Sequence, residues 1–159
     1  MGVEIERKFL VVGDGWRQQV TKATLFRQGY LSTNAKATVR VRSRDDSTAH
    51  LTLKGKLSGT RRAEYEYPIP IEDARELLAM AAPHVIEKTR HLVPAGELTW
   101  EVDVFAGHLT GLVMAEIELS HEDQVFERPD WLGAEVTEDA RYYNASLSRS
   151  AGPPSITVK

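Results

Sequence analysis

The sequence predicts a single α+β domain that is mainly antiparallel β-sheet, with two helices beside it. The main observation is a series of short runs in which apolar and charged residues alternate, as they do in strands with one apolar face. Short segments rich in Gly, Asp and Ser separate the runs, which favours hairpins and therefore antiparallel pairing. The length of 159 residues suits one domain, 1–159, in which we expect 150–159 to form a flexible tail.

Eight strands are expected in chain order, and each follows from this alternation. The predicted strands span residues 3–11, 23–32, 38–44, 50–56, 62–69, 85–92, 98–105 and 114–119. In the first strand, for example, Val3 and Ile5 belong to one face, whereas Glu4 and Glu6 belong to the other.

Two helices are expected beside the sheet. The first spans 72–82, is rich in Ala, Leu and Glu, and ends before Pro83, because proline disfavours a helical conformation in the residue that precedes it. The second spans 138–148, with Thr137 as its N-cap and two acidic residues in its first turn. A short helical turn is also expected over 16–20.

The composition excludes several classes of protein. The chain has no cysteine, which excludes disulfides, thiol catalysis and cysteine-based zinc sites. Its formal net charge of −3 and hydrophobic content of 42% argue against a strongly basic nucleic-acid binder and against a disordered chain. The most apolar stretch, residues 77–86, is too short to cross a membrane, and the charged N-terminus is unlike a signal peptide, so a cytoplasmic protein is expected.

Charged residues occupy one face of nearly every predicted strand. The acidic residues at these positions are Glu4, Glu6, Glu64, Glu66, Glu101, Asp103, Glu116 and Glu118. The basic residues are Lys8, Arg40, Arg42, Lys54, Arg62, Lys88 and Arg90. Many same-sign pairs lie two residues apart, where like charges repel unless a counter-ion offsets them.

The kind of counter-ion follows from the residue types. Clustered carboxylates indicate a divalent cation such as Mg²⁺ or Mn²⁺, and clustered Arg and Lys indicate a polyanion, so a metal-chelated polyphosphate would satisfy both. If the sheet closes, the charged face becomes a lumen and the apolar face packs outward under the helices, which inverts the usual barrel. The alternative is an ordinary two-layer sheet whose charged face is in contact with solvent.

Other catalytic motifs are absent from the sequence. There is no Walker A loop and no nucleophile elbow, and the five histidines do not have the spacing of metal ligands. Catalysis on this lumen would therefore be metal-assisted hydrolysis of a phosphoryl group.

The order of several motifs carries a resemblance to a known family. They are Glu4-x-Glu6-x-Lys8, Gln28-Gly29-Tyr30-Leu31, Val39-Arg40-Val41-Arg42, Leu51-Thr52-Leu53-Lys54-Gly55, Glu87-Lys88-Thr89-Arg90, Ala115-Glu116-Ile117-Glu118-Leu119 and the run 135–144. Over roughly residues 3–147 the chain resembles the CYTH superfamily, the triphosphate tunnel metalloenzymes, and among them the small stand-alone bacterial members. The resemblance implies an eight-stranded closed antiparallel tunnel with a charged lumen and flanking helices, which holds a triphosphate together with divalent metal ions.

The resemblance also implies roles for individual residues. Those implied to act in catalysis are Lys8, Tyr30, Glu116 and Glu118. Those implied to bind substrate are Lys8, Arg40, Arg42, Lys54, Arg62, Lys88, Arg90 and Arg141. Those implied to hold metal, directly or through water, are Glu4, Glu6, Glu64, Glu66, Asp103, Glu116 and Glu118. The chain departs from many relatives at Ala140, where they have a lysine that Lys56 or Arg61 would have to replace.

The function expected is divalent-metal-dependent hydrolysis of a phosphoanhydride in inorganic triphosphate or a related triphosphate. Three alternatives stay open: a class IV-type adenylate cyclase, a thiamine triphosphatase, and a non-catalytic module that binds polyphosphate or nucleotide. The expected cofactor is Mg²⁺ or Mn²⁺, and the expected partner is a small-molecule triphosphate. Neither nucleic acid nor a membrane is expected as a partner, and a homodimer is an assembly that the sequence leaves open.

Overall fold

The computed structural model describes residues 2–34, 36–58 and 61–154, without the side chains of residues 2 and 56–58. It contains nine strands in this part of the chain. They are β1 (Gly2–Val11), β2 (Lys22–Thr33), β3 (Thr38–Arg44), β4 (Thr48–Ser58), β5 (Arg61–Ile69), β6 (Val85–Ala95), β7 (Leu98–Phe105), β8 (Val113–Leu119) and β9 (Leu132–Glu135). All eight predicted strands are present as β1 to β8.

The sheet closes on itself. Its strand order is β5-β4-β3-β2-β6-β7-β8-β1-β9, and an additional antiparallel pairing joins β1 to β5. This closing pairing covers four residue pairs, from Gly2 opposite Glu64 to Ile5 opposite Arg61. Further along β1, Phe9 and Val11 pair with β9, which lies outside the closed ring. The expectation of a closed eight-stranded antiparallel barrel is confirmed, and β9 is an addition that the sequence pattern did not predict.

The apolar core lies outside the barrel. One cluster of buried side chains is formed by the outward faces of β1, β7 and β8, including Phe9, Trp100 and Ile117, together with Trp16 and Trp131. Trp100 packs edge-on against Phe9, with ring centroids 5.7 Å apart. Because successive residues of a strand point to opposite sides, burying these apolar side chains outward turns the charged residues between them into the lumen.

Two helices cover the outer surface and one end of the barrel. Helix α1 (Ile71–Ala81) packs on β2, β3 and β4, as expected from its sequence. Helix α2 (Asn144–Arg149) packs on β2 and β6. Within the described residues, no helix is long and apolar enough to cross a membrane.

The second predicted helix, 138–148, is wrong in its extent. A short 3-10 helix (Ala140–Tyr142) replaces its first half, and α2 begins only at Asn144. Thr137 does not cap a helix, because its hydroxyl accepts a hydrogen bond from the backbone N–H of Lys8 at 3.0 Å. Tyr143 has an extended backbone, which separates the two helical segments.

Of the predicted flexible tail, residues 150–154 are described, and residues 155–159 lie outside the described part. Ser150 ends α2, and its hydroxyl donates to the backbone oxygens of Leu147 and Gly152.

Candidate active site

The barrel encloses a cavity of about 1040 Å³ to which all eight ring strands contribute. The predicted site residues that line it are Glu4, Glu6, Lys8, Tyr30, Arg40, Arg42, Lys54, Arg62, Glu64, Glu66, Arg90, Glu116 and Glu118. Residues of opposite sign that are distant in sequence therefore share one enclosed space. The residues 143–146 line one end of this space, where α2 begins.

Arg90 joins three carboxylates in the wall formed by β6, β7 and β8. Its guanidinium donates to both carboxylate oxygens of Asp103 at 2.8 and 2.9 Å, and to Glu116 Oε2 at 2.7 Å. Its Nη1 also lies 3.3 Å from Glu101 Oε2. Burial would raise the pKa of Glu116, but Arg90, Lys8 and the other nearby cations outweigh burial and hold that pKa well below its usual value. Glu116 is therefore ionised.

Two lysines pair with carboxylates of β1, β5 and β8. Lys54 Nζ donates to Glu4 Oε1 at 2.6 Å and lies 3.6 Å from Glu64 Oε2. Lys8 Nζ lies 3.6 Å from Glu116 Oε1 and 3.8 Å from Glu6 Oε1. These pairs join side chains of β1, β4, β5 and β8, so acids and bases from different strands meet inside the barrel.

The carboxylates at the β1 and β8 side of the lumen repel one another. Burial and the neighbouring Glu4 and Glu6 raise the pKa of Glu118. The pKa of Glu4 is also raised, by burial and by a hydrogen bond with Glu64, although Lys54 opposes the shift. Glu118 and Glu4 therefore bind protons more tightly than isolated carboxylates do, and a cation would relieve the repulsion.

Two of the three arginines of β3, Arg40 and Arg42, have a different environment. Arg42 Nε donates to Gln28 Oε1 at 2.8 Å, and its guanidinium carbon lies 4.3 Å from the centre of the Phe26 ring. Arg40 Nη2 donates to Thr52 Oγ1 at 3.3 Å. Neither arginine forms a salt bridge within the described part of the chain. Burial and the positive charges of Arg40 and Arg90 lower the pKa of Arg42.

Three predicted site residues do not line the cavity. Lys88 is fully buried, and its ammonium donates to Asp103 Oδ2 at 2.6 Å and to Asn144 Oδ1 at 3.1 Å. Burial lowers the pKa of Lys88 to about 7, although Asp103 opposes this. Asp103 is itself saturated by Lys88 and Arg90. Arg141 lies on the outer surface, where it pairs with Asp139 at 2.7 Å.

Several uncharged residues belong to the site although the sequence pattern did not single them out. Gln28 Nε2 donates to the Tyr30 hydroxyl at 3.3 Å and to Asn144 Oδ1 at 3.4 Å. The ring of Tyr143 lies 5.5 Å from Lys8 Nζ. Gln28 and Tyr30 alternate along β2 with the outward Gly29, and both this parity and the motif Gln28-Gly29-Tyr30-Leu31 are signals that could have identified Gln28.

The donors in the lumen fit a hard divalent cation. Those that line the cavity are carboxylate oxygens, the ligand type that Mg²⁺ and Mn²⁺ prefer. Burial, and then the neighbouring Glu4 and Glu6, raise the pKa of Glu118, and a bound cation would oppose that shift. Within the described residues, no three His, Asp or Glu side chains already form a metal-binding group. Lys54 and Lys8 currently pair with several of these oxygens, so a metal would bind by replacing those cations.

A closed barrel whose lumen presents arginines and lysines together with many carboxylates defines a class of protein that binds a polyanion together with metal. A family model described as the CYTH domain matches residues 2–151 of the chain. The chain belongs to the CYTH family, whose triphosphatase members depend on a divalent metal.

Two relatives span nearly the same length. The inorganic triphosphatase of Acetivibrio thermocellus is 47% identical over 151 residues, which cover 94% of this chain and 96% of that protein. The inorganic triphosphatase of Nitrosomonas europaea is 42% identical over 154 residues, which cover 92% of this chain and 97% of that protein.

Solved structures agree with the fold. A crystal structure of an inorganic triphosphatase superposes with a TM-score of 0.67 at 38% identity and covers 94% of this chain and 97% of its own. A protein of Pyrococcus furiosus superposes with a TM-score of 0.61 at 19% identity, over 76% of this chain and 80% of its own, and supports the fold alone.

Proposed function

We propose that this protein is a divalent-metal-dependent triphosphatase that hydrolyses a phosphoanhydride bond of inorganic triphosphate. The observation that carries the proposal is the lumen, in which Arg40 and Arg42 face the cavity opposite a group of carboxylates. The names of the two relatives support the same substrate.

The chain's own residues divide the work between binding phosphate and holding the metal. Arg40, Arg42 and Arg62 donate to phosphate oxygens, and Lys54 and Lys8 join them when their carboxylate partners are taken by metal. Fixed cations around the leaving phosphates stabilise the charge that develops as the bond breaks, without reorganisation at that moment. Burial inside the barrel strengthens these interactions relative to water.

We propose Glu4, Glu6, Glu64, Glu66, Glu116 and Glu118 as the residues that hold metal. When bound, Mg²⁺ or Mn²⁺ supplies charge neutralisation and a water of lowered pKa. Lys8 and Tyr30 are proposed to contact the reacting phosphate. Lys88 and Asp103 do not line the cavity and are proposed to act through Arg90. Lys88 orients Asp103 by a hydrogen bond, and Asp103 in turn holds the Arg90 guanidinium in place.

The aromatic residues of the lumen favour an inorganic substrate over a nucleotide or thiamine triphosphate. The Phe26 ring lies within 5.4 Å of the guanidinium carbons of Arg42, Arg44 and Arg90. The Tyr143 ring faces Lys8 in the same way. Because cations occupy these faces, they are not available for stacking a base, which binding of a nucleobase commonly uses.

The test is a substrate panel with product analysis. Triphosphate, ATP and thiamine triphosphate are each incubated with Mg²⁺ or Mn²⁺, and phosphate, diphosphate and cyclic nucleotide are measured. Diphosphate and phosphate in equal amounts from triphosphate are expected, with a rate that falls at least about tenfold in Glu118→Gln because a metal-binding oxygen is lost. Glu122→Gln is the matched control, since Glu122 is exposed and outside the cavity. Equal rates in both variants, or cyclic nucleotide as the main product, would refute the proposal.

A further inference from the structure

The cations of the lumen differ in whether a carboxylate neutralises them. Lys54 donates to Glu4 at 2.6 Å, and Arg90 donates to Asp103 at 2.8 Å. Arg42 instead donates to an amide oxygen, that of Gln28, at 2.8 Å. Arg40 donates to a hydroxyl, that of Thr52, at 3.3 Å. The best-placed bonding partner of Arg40 and of Arg42 is therefore a neutral side chain.

Both neutral partners are fully buried, and their remaining bonds fix their orientation. Gln28 gives its amide hydrogens to Tyr30 and Asn144, so its oxygen is directed to Arg42. Thr52 accepts from Arg40 while it donates to Glu66 Oε2 at 3.2 Å. The Thr52 hydroxyl thus stands between the Arg40 guanidinium and the Glu66 carboxylate.

The Arg40 guanidinium also has an unused donor. Its Nε is buried and has no hydrogen-bond partner within the described residues. A buried donor without a partner is costly, so Arg40 is held in this position at a cost in stability.

We propose that Gln28 and Thr52 are positioning residues that hold Arg42 and Arg40 in place without neutralising them, so that the full charge of both arginines is available to the triphosphate. This inference rests on the proposed function, because it assumes that the ligand bound in the lumen is a chain of phosphates. A glutamate would fit the space of Gln28 and bind Arg42 more strongly, and it would compete with the phosphate for the same guanidinium.

The test compares two substitutions of nearly equal size at Gln28. Gln28→Glu keeps an acceptor for Arg42 and adds a negative charge, whereas Gln28→Met removes the hydrogen bonds and adds no charge. Binding of triphosphate is measured by calorimetry in buffer with EDTA, so that no hydrolysis occurs, and thermal unfolding is measured on the same samples.

The proposal predicts that Gln28→Glu weakens triphosphate binding about 10- to 100-fold, the range for a lost hydrogen bond to a charged group, and leaves thermal stability unchanged or raised. Gln28→Met should weaken binding less than Gln28→Glu and lower thermal stability. A merely structural role for Gln28 predicts the reverse order in binding, since glutamate preserves the bond to Arg42 and methionine does not. The reverse order, equal binding of both variants, or failure of Gln28→Glu to fold would each overturn the proposal.

An independent repeat at Arg40 uses Thr52→Asp and Thr52→Val. The aspartate should weaken binding more than the valine, and the opposite order would count against the proposal. Failure of the proposed function is distinguishable, because a wild-type protein that binds triphosphate in EDTA but releases no phosphate with Mg²⁺ or Mn²⁺ refutes hydrolysis alone. A wild-type protein that does not bind triphosphate in EDTA overturns the role of Gln28 and Thr52.

Discussion

Replacing Glu116 by glutamine should destabilise the protein at neutral pH. The Glu116 carboxylate is 6% exposed, accepts a hydrogen bond from Arg90 at 2.7 Å and lies 3.6 Å from Lys8 Nζ. Removing one partner of a buried ion pair typically costs about 3–5 kcal/mol, because the remaining charge is left uncompensated. Glutamine keeps one carbonyl acceptor, and Arg90 retains Asp103, so we expect a loss of about 2–3 kcal/mol.

The loss should shrink in acid, and the sign follows from the pKa of Glu116. Burial raises that pKa, but Arg90, Lys8 and further cations lower it by more, so the folded value lies below the ordinary 4.5. A carboxylate of this kind contributes stability above its ordinary pKa and loses it as the pH falls towards the folded value. Glutamine does not titrate, so the gap between the two proteins should be largest at pH 6 to 7 and decrease below about 4.5.

Urea unfolding of the wild type, Glu116→Gln and the exposed control Glu122→Gln at several pH values between 3 and 7 measures this gap. The Glu122→Gln variant should stay within about 0.5 kcal/mol of the wild type throughout. A gap for Glu116→Gln that stays constant over the whole pH range would refute the electrostatic reasoning, even if its size at neutral pH were correct.

Other predictions concern packing, substrate and metal. Gly29→Ala should cost about 1–3 kcal/mol in urea unfolding, because its new Cβ would lie 2.7 Å from Ala81 Cβ; unchanged stability would contradict this packing of α1 on β2. Arg42→Gln should raise the KM for triphosphate about 10- to 100-fold, whereas Arg141→Gln, on the outer surface, should change it less than about twofold; similar losses would contradict their placement. Because burial and neighbouring carboxylates raise the pKa of Glu118, Mg²⁺ binding should release protons and tighten from about pH 5 to 7, and calorimetry showing a pH-independent affinity would exclude this.

The alternation predicted the strands and their two faces, because a period-2 sequence fixes which residues share a face, whereas the closed barrel was expected from the resemblance to the family. Thr38–Arg44 was predicted to the residue, and its Arg40 and Arg42 face the lumen together. Which face points inward does not follow from alternation alone, since an open sheet with a solvated face has the same pattern. Same-sign pairs such as Glu116 and Glu118 indicated an inward-facing charged surface, because like charges this close repel each other unless a bound counter-ion offsets the repulsion.

The errors arise where tertiary contacts override local preference. Residues 138–143 have a helical pattern, but only a 3-10 helix forms there. The Thr137 hydroxyl accepts a hydrogen bond from the backbone N–H of Lys8, and Asp139 accepts one from the backbone N–H of Arg141. Strand β9 has four residues, which is too short for an alternating pattern that could identify it from the sequence. It is a strand because it pairs with β1.

The placement of Lys88 shows a second limit of the pattern. It has the parity of Arg90, but α2 closes over that end of the barrel, and Asn144 meets the Lys88 ammonium at 3.1 Å. A residue can therefore point towards the inside of the barrel and still be buried, without contact with the cavity. The packing of α2, which brings Asn144 to Lys88, is not encoded in the strand that carries Lys88.

The pairing inside the lumen implies that triphosphate and metal assist each other's binding. Lys54 is shared between Glu4 and Glu64, and its raised pKa shows that nearby carboxylates outweigh the burial that opposes its charge. A phosphate that binds Lys54 releases these two carboxylates to a metal, and a metal on the carboxylates releases Lys54 to a phosphate. Because coupling between two ligands is reciprocal, each must raise the affinity of the other by the same factor. Arg42, which has no salt bridge to break among the described residues, is the group that a phosphate can bind first without this exchange.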